Sequence, residues 1–277
     1  MLAAVASFAA MDALMKLLVA RYLPLQVASM RGFAALPFVL APIAFRGRWS
    51  RVRPVNVGLH LLRGVLAVAM LFSFVSAVRD SSLAATYAIF MCAPLLVAAI
   101  SAPLLGERVA GAQWAAIGAG LAGVLLMLKP GPGQLGFAGA LWAILAMITY
   151  TISVATLRLL ARTDSNASMV LWFTAMLAVG AGALALPEWR AIEWRDAPLI
   201  ADVGVAGATG QYLITVAFRN APAATVAPFE YTALLWGVSL DIAIWSVWPS
   251  AVTLLGGAVV IGAGLAVIAR ERRVAAG

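Results

Sequence analysis

Glu230 is the residue of this sequence whose position most strongly suggests chemistry. It lies in the apolar run 223–245, about seven residues from the start, or roughly 10 Å along a helix at 1.5 Å per residue. A carboxylate in hydrocarbon is costly, so it is rare there without a cavity or a partner. Glu230 is therefore predicted either to bind a proton or a substrate amine, or to form a structural hydrogen bond or ion pair between helices.

A second charged pair lies in the first apolar run. Asp12 and Lys16 are four residues apart, so on a helix they share one face. Either the two side chains neutralise each other, or they bind a zwitterion, with Lys16 on its carboxylate and Asp12 on its amino group.

The remaining ionisable groups inside apolar runs allow two interpretations each. His60 is the only histidine; it either relays protons near neutral pH or has a structural role near a helix end. Arg63, and similarly Arg31, either snorkels to the membrane interface or contacts a ligand. Asp202 and Asp241 lie near helix ends and are predicted to be interfacial.

Aromatic residues recur at helical spacing in the run 83–105. Tyr87, Phe90, Met91 and Pro94 follow i, i+3, i+4, i+7 spacing and so form one face of a helix. This face is either a cavity wall suited to apolar substrate groups or a packing surface. The other candidates for substrate binding, taken from the remaining runs, are Tyr150, Trp172, Gln211, Tyr212 and Phe229.

These residues must be positioned by membrane-spanning helices. The chain of 277 residues is 64% hydrophobic and 11% charged, whereas a soluble domain is about 25% charged. The apolar runs are roughly 20 residues long, enough to cross a bilayer as helices, and they lack the alternation that a barrel requires. The predicted fold is an all-α membrane protein with ten transmembrane helices, at about 2–21, 25–45, 55–78, 83–105, 109–128, 136–160, 166–187, 197–218, 223–245 and 250–269.

The two halves of the chain are similar at a constant offset of 139 residues. Residues 84–90 read AATYAIF and residues 223–229 read AATVAPF. The Pro-Gly stretch 130–133 breaks helices at the expected boundary. The sequence thus predicts two five-helix repeats, 1–130 and 131–277, within one membrane domain. At this offset Met91 takes the position of Glu230, so the two halves differ at that site.

The distribution of Lys and Arg predicts the orientation. Eleven lie on one side of the predicted topology and five on the other, and the side richer in Lys and Arg is cytoplasmic. Both termini are therefore expected in the cytoplasm of a multi-pass inner-membrane protein. Because five helices per half is an odd number, the second repeat is inverted relative to the first, an arrangement typical of secondary transporters that work by alternating access.

Several short motifs resemble a known family. Leu62-Arg63-Gly64 opens the third run, residues 82–86 read SLAAT, and residues 104–108 read LLGER at the end of the fourth run. The chain resembles EamA-type members of the drug/metabolite transporter superfamily, and within it the YddG-type amino-acid exporters. In the second half, Ser246 takes the place of Glu107, so the second Gly-Glu element is missing.

The resemblance implies export of amino acids, including aromatic and apolar ones, or of related small metabolites. The alternatives are transport of another metabolite, such as S-adenosylmethionine, a non-transporting membrane protein that binds lipid or a partner, and an intramembrane enzyme. The expected partners are a small-molecule substrate and the lipid bilayer, with the chain a monomer or a homodimer.

Other function classes are disfavoured by what the sequence lacks. It has no GxSxG, HExxH or P-loop motif, so no enzyme activity is predicted. With one cysteine and one histidine, neither a metal nor another cofactor is expected. The net charge of +8 is explained by membrane topology rather than by nucleic-acid binding.

Overall fold

The computed structural model describes residues 1–45, 47, 49–79, 81–93, 96–97, 100, 115, 118–119, 122, 136–220 and 227–276. Within these ranges the secondary structure is helical, with no strand. The α-helices are α1 (Leu2–Val19), α2 (Pro24–Phe45), α3 (Val57–Arg79), α4 (Leu83–Phe90), α5 (Phe137–Leu160), α6 (Asn166–Ala185), α7 (Ala197–Asn220), α8 (Thr232–Trp245) and α9 (Ala251–Ala276).

Most of the described helices have the dimensions of membrane spans. Six spans, which contain α1, α2, α3, α5, α6 and α7, are long and apolar enough to cross a bilayer. Helices suit this environment because they satisfy their own backbone hydrogen bonds. The prediction of an all-helical membrane protein is confirmed. The predicted run 109–128 lies almost entirely outside the described residues, as do the LLGER motif at 104–108 and the proposed repeat boundary at 130–131.

Contacts between the connecting segments define two ends of the helix bundle. At one end, Asp164 contacts both His60 and Arg219 through hydrogen bonds of 2.9 Å. At the other end, Arg21 contacts Asp196. Since Arg21 follows α1, residue 1 lies at the end that holds Asp164. We call this the first end and the opposite one the second end.

The most extensive helix contacts are those of α2 with α6, α3 with α5, and α1 with α7. They are followed by α2 with α7, α3 with α6, and α4 with α8. Glycine allows some of them to approach closely. A Cβ atom added to Gly32 would lie 2.5 Å from the Cα of Ala178, and one added to Gly204 would overlap the backbone oxygen of Ala34. Such close approach is typical of small residues between membrane helices.

Two of the predicted runs are not continuous α-helices. α4 ends at Phe90 and is followed by a turn, whereas one helix was expected over 83–105. The sequence has a proline at position 94, and proline disfavours a continuous helix because its ring clashes with the carbonyl four residues earlier. In the run 223–245, a 3₁₀ turn at Ala227–Tyr231 precedes α8. Met91 and Glu230 lie at these two breaks.

Candidate functional site

A cavity of about 160 Å³ lies between the helices. It extends toward the first end, where Met1, Val5, Leu157 and Phe218 line it. The wall is formed by α1 to α8 and the turn at Ala227–Tyr231, with most of the lining side chains apolar or aromatic. Its polar and charged lining residues are Asp12, Arg31, Arg63, Tyr87, Tyr150, Ser153, Gln211 and Glu230.

Each cavity carboxylate is paired with a tyrosine. Tyr87 of α4 donates a 2.6 Å hydrogen bond to Asp12 Oδ2 of α1. Tyr150 of α5 donates a 3.2 Å hydrogen bond to Glu230 Oε1 in the turn before α8. A neutral hydroxyl donates to a carboxylate without cancelling its charge, and an ionised carboxylate can accept further hydrogen bonds. Both acidic groups therefore retain the capacity to bind a cation.

A band of aromatic rings connects the two pairs. Phe74 stacks on Tyr87 with ring centroids 6.1 Å apart and meets Phe90 edge-on at 5.5 Å. Phe90 in turn lies 6.0 Å from Tyr150. These contacts form a continuous apolar surface with an acidic group at each extremity. In order of contact, its members are Asp12, Tyr87, Phe74, Phe90, Tyr150 and Glu230. We call this surface the aromatic band.

Two buried arginines also line the cavity. Arg31 and Arg63 are each 3% exposed. The guanidinium of Arg31 lies 5.9 Å from the ring centroid of Phe8. The guanidinium of Arg63 lies 4.7 Å from the ring centroid of Phe173. Arg63 Nη1 donates to the backbone oxygen of Met169 at 3.1 Å. The snorkelling interpretation of these residues is therefore wrong, because both side chains are enclosed by the protein.

The structure brings most of the predicted substrate-binding residues to this cavity. The predicted residues that line it are Asp12, Tyr87, Phe90, Met91, Tyr150, Gln211 and Glu230. The predicted residues outside its lining are Lys16, His60, Trp172, Tyr212 and Phe229.

Lys16 does not neutralise Asp12. Its Nζ lies 3.2 Å from Asp241 Oδ1 and 4.4 Å from the centroid of the Trp245 ring. Asp241 also accepts hydrogen bonds from the backbone N–H groups of Leu83 and Ala84. Asp241 is fully buried within the protein, whereas Asp202 is exposed. That both residues lie at the membrane interface stays a prediction.

His60 and Trp172 belong to a contact network at the first end. His60 Nε2 lies 2.9 Å from Asp164 Oδ1, and Trp172 Nε1 donates to the backbone oxygen of Val52 at 2.9 Å. Burial alone would raise the pKa of the Asp164 carboxyl, but hydrogen bonds from Val55 N–H, His60 and Thr163 hold it below its usual value. This network ties the loop before α3 to the loop before α6.

Tyr212 and Phe229 are the most exposed of the predicted site residues, at 54% and 40%. Tyr212 lines a separate groove that also contains Phe38 and Arg219. Neither side chain lines the cavity in this structure, so their role in substrate binding stays a prediction.

The sequence interpretation left Arg31, Arg63 and Phe74 out of the substrate-binding set. The two arginines could have been identified from their depth within apolar runs, since a charge inside a membrane helix marks a functional site by default. Phe74 is one apolar residue among many in α3 and carries no comparable signal. Among the described residues, no group of three or more His, Cys, Asp or Glu side chains is placed to hold a metal.

The bundle has the helices of a multi-pass membrane protein and contains an internal cavity. Residues 1–129 match the EamA-like transporter family. Residues 1–129 are thus an EamA-like transporter domain of the drug/metabolite transporter superfamily, as the motifs of the first half predicted.

Named relatives carry different substrates. A riboflavin transporter of Rhizobium johnstonii is 28% identical over 215 residues, which is 77% of this chain and 71% of the relative. An S-adenosylmethionine uptake transporter of Rickettsia felis is 23% identical over 96% of this chain and 90% of its own length. A pseudopaline exporter of Pseudomonas aeruginosa is 25% identical over 76% of this chain and 75% of its own length.

A solved structure supports the fold over nearly the whole chain. A crystal structure with 20% sequence identity superposes with a TM-score of 0.66, covering 98% of this chain and 98% of that one. The likeness extends to the second half of the chain, beyond the residues that match the family.

Proposed function

We propose that this protein is a secondary transporter that exports amino acids, including aromatic and apolar ones, or related small metabolites. The observation that carries the proposal is the cavity itself, in which two carboxylates and two arginines surround the aromatic band. An amino acid needs a negative partner for its ammonium group, a positive partner for its carboxylate and an apolar surface for its side chain. The cavity offers all three.

Asp12 and Glu230 are the proposed partners of the substrate amine. Their tyrosine hydrogen bonds fix the two carboxylates against the aromatic band, so that a bound ammonium group would place its side chain along the rings. Met91 and Gln211 complete this wall. Glu230 is also the proposed proton-coupling site, because it lies in a broken segment, where transporter sites commonly form. His60 is a weaker candidate, since it is engaged with Asp164.

The pattern of helix contacts favours two inverted repeats, 1–130 and 131–277, within a ten-helix membrane domain. With an offset of 139 residues, α5, α6 and α7 correspond to α1, α2 and α3. A two-fold axis relating the repeats would exchange the α1–α7 pair with the α5–α3 pair and would map the α2–α6 pair onto itself. All three of these helix pairs are among the main contacts. Such repeats support alternating access around a site that both halves share.

Among the described residues, ion pairs join helices at the second end, and the cavity reaches the first. Lys16–Asp241 and Arg21–Asp196 join separate helices at the second end, whereas Met1 and Val5 line the cavity near the first. The excess of Lys and Arg assigns the first end to the cytoplasm. We therefore assign the structure to an inward-facing state in the bacterial inner membrane, with both termini cytoplasmic. Either a monomer or a homodimer is compatible with this cavity.

A second candidate substrate is S-adenosylmethionine. It contains an α-amino-acid group together with an adenine ring, so the same charged groups and aromatic band suit it. The relative named as a transporter of this compound aligns over 96% of this chain, which is the observation that favours it.

Reconstituted vesicles test the proposal. Purified protein is placed in proteoliposomes with an imposed pH gradient, and the flux of labelled phenylalanine, leucine, S-adenosylmethionine and riboflavin is compared with that of empty vesicles. Amino-acid flux that responds to the gradient supports the proposal, and flux of S-adenosylmethionine alone supports the second candidate. If the Glu230→Gln variant keeps the gradient dependence unchanged, Glu230 is not the proton site.

A further inference from the structure

Arg31 and Arg63 carry buried nitrogen atoms without hydrogen-bond acceptors. In the ranges that the structure describes, no group accepts a hydrogen bond from Arg31 Nη1 or from Arg63 Nε. Both residues line the cavity. Buried donors are nearly always satisfied in folded proteins, so an exception requires an explanation.

Structural roles account for only part of each guanidinium. Arg63 is held by the Met169 carbonyl and the face of Phe173, which fixes its position without supplying a negative charge. Arg31 packs on the ring of Phe8 and lies so close to Gly207 that an added Cβ there would be 3.3 Å from Arg31 Nε. Each side chain is therefore held in place while part of its hydrogen-bonding capacity remains unused.

The acidic residues of the cavity do not fill this capacity. Asp12 accepts from Tyr87 and Glu230 accepts from Tyr150. Asp12 is near enough to Arg31 to interact with it electrostatically, but neither carboxylate forms a salt bridge with Arg31 or Arg63. A guanidinium matches a carboxylate with two parallel N–H donors, which is the geometry in which arginine binds oxyanions most strongly.

We propose that Arg31 and Arg63 form a subsite for the carboxylate of the substrate, on α2 and α3. This inference rests on the proposed transport of amino acids and assigns the anion-binding role that Lys16 was predicted to have. Lys16 is unsuited to it, because Asp241 already occupies its ammonium group. The substrate would place its carboxylate on the arginines, its amine on Asp12 or Glu230 and its side chain on the aromatic band.

The first test changes the ligand and leaves the protein intact. Binding of L-phenylalanine, L-phenylalaninamide, 3-phenylpropionate and S-adenosylmethionine to the purified chain is measured by titration calorimetry. Losing one partner of a buried charged hydrogen bond corresponds to at least about a thirtyfold loss of affinity, so the amide is expected to bind at least that much more weakly than phenylalanine. Equal affinity for the acid and the amide would overturn the proposal, as would failure of every carboxylate-bearing probe to bind.

The second test changes the arginines. Arg31→Gln and Arg63→Gln are each expected to weaken phenylalanine binding at least about thirtyfold while leaving amide binding nearly unchanged. The Lys variants should restore part of the affinity, since an ammonium group keeps the charge but loses the bidentate geometry. Arg195→Gln is the matched control, because Arg195 is exposed and pairs with Glu193.

The outcomes separate this inference from the proposed function. Arginine-dependent binding of carboxylates without amino-acid flux in vesicles would contradict the transport proposal and leave the subsite intact. Amino-acid flux that is equal in the wild type and in folded Gln variants would contradict the subsite and leave the transport proposal intact. If the Gln variants do not fold, the comparison of acid and amide on the wild type decides the question.

Discussion

The hydroxyl of Tyr87 donates a 2.6 Å hydrogen bond to Asp12, and this bond joins α4 to α1 at the wall of the cavity. The Tyr150–Glu230 bond joins α5 to the turn before α8. Adding the sequence offset of 139 residues to the positions of α1 gives positions in α5. Adding it to the positions of α4 gives positions that extend into the turn before α8. The two halves thus build similar tyrosine–carboxylate bonds, with donor and acceptor exchanged between the corresponding segments.

Removal of the Tyr87 hydroxyl is expected to destabilise the protein more than removal of the Tyr150 hydroxyl. Tyr87→Phe leaves the Asp12 carboxylate in a buried site without its donor, at a cost of about 1–3 kcal/mol. The longer Tyr150–Glu230 bond is only partly buried, so Tyr150→Phe should cost less. Thermal unfolding of the purified variants in detergent measures the difference, and an equal loss for both would contradict this order.

Gly32 is expected to tolerate no side chain, because it lies against the backbone of α6. A Cβ atom there would be 2.5 Å from Ala178 Cα, so Gly32→Ala should force α2 and α6 apart. Overpacking of this kind typically costs about 1–3 kcal/mol.

Gly58→Ala is the matched control for Gly32→Ala. A Cβ atom added to Gly58 would have a side-chain atom of Asn56 as its nearest neighbour, at 3.8 Å. Alanine should stabilise that helical position by a few tenths of a kcal/mol to about 1 kcal/mol. Similar melting temperatures for both variants would show that α2 and α6 are not in close contact.

The Lys16–Asp241 pair is expected to keep the second end closed. In a Cys92→Ser background, a cysteine replacing the cavity residue Met70 should react with a membrane-impermeant thiol reagent added at the first end. Adding Lys16→Met removes a partner of the buried Asp241 carboxylate and should increase labelling from the second end. Arg195→Gln, which removes an exposed pair, serves as the control. Labelling from the second end that is unchanged by Lys16→Met would show that this pair is not part of the closure.

Acidification is expected to weaken the contact network at the first end. The folded-state pKa of Asp164 lies below its ordinary value, so its contribution to stability is present above the unfolded-state pKa of about 3.9. It is lost as the pH falls through the lower, folded-state pKa. Asp164→Asn should therefore lower the melting temperature at pH 7 and reduce the further loss below about pH 4. Asp202→Asn, at an exposed carboxylate, is the control, and parallel pH profiles for wild type and Asp164→Asn would contradict the prediction.

The membrane helices could be predicted from the sequence because their length and apolarity are local properties. The predicted runs 2–21, 25–45 and 166–187 agree with α1, α2 and α6 to within a few residues. The breaks near Met91 and Glu230 were missed, although Pro94 and Pro228 are visible in the sequence, because apolar composition is the same in broken and continuous helices.

The partners of the charged residues were harder to predict, because they depend on tertiary packing. Helical spacing predicted Asp12 as the partner of Lys16. In the structure Lys16 pairs instead with Asp241, which is 225 residues away in the sequence. Tyr87 and Tyr150 were identified as candidates, but their bonds to Asp12 and Glu230 depend on which helices meet. The depth of Arg31 and Arg63 in their runs, like that of Glu230 in its own, was the local indication of a buried charge.

Counterflow of phenylalanine tests the central claim most directly, namely that this cavity binds an amino acid and opens to each side in turn. Proteoliposomes preloaded with unlabelled phenylalanine are diluted into labelled phenylalanine, with no ion gradient imposed. The account predicts a transient accumulation of label above that in empty vesicles, and its loss when Asp12 and Glu230 are both replaced by their amides. Accumulation no greater than in empty vesicles, or undiminished in that double variant, would contradict it.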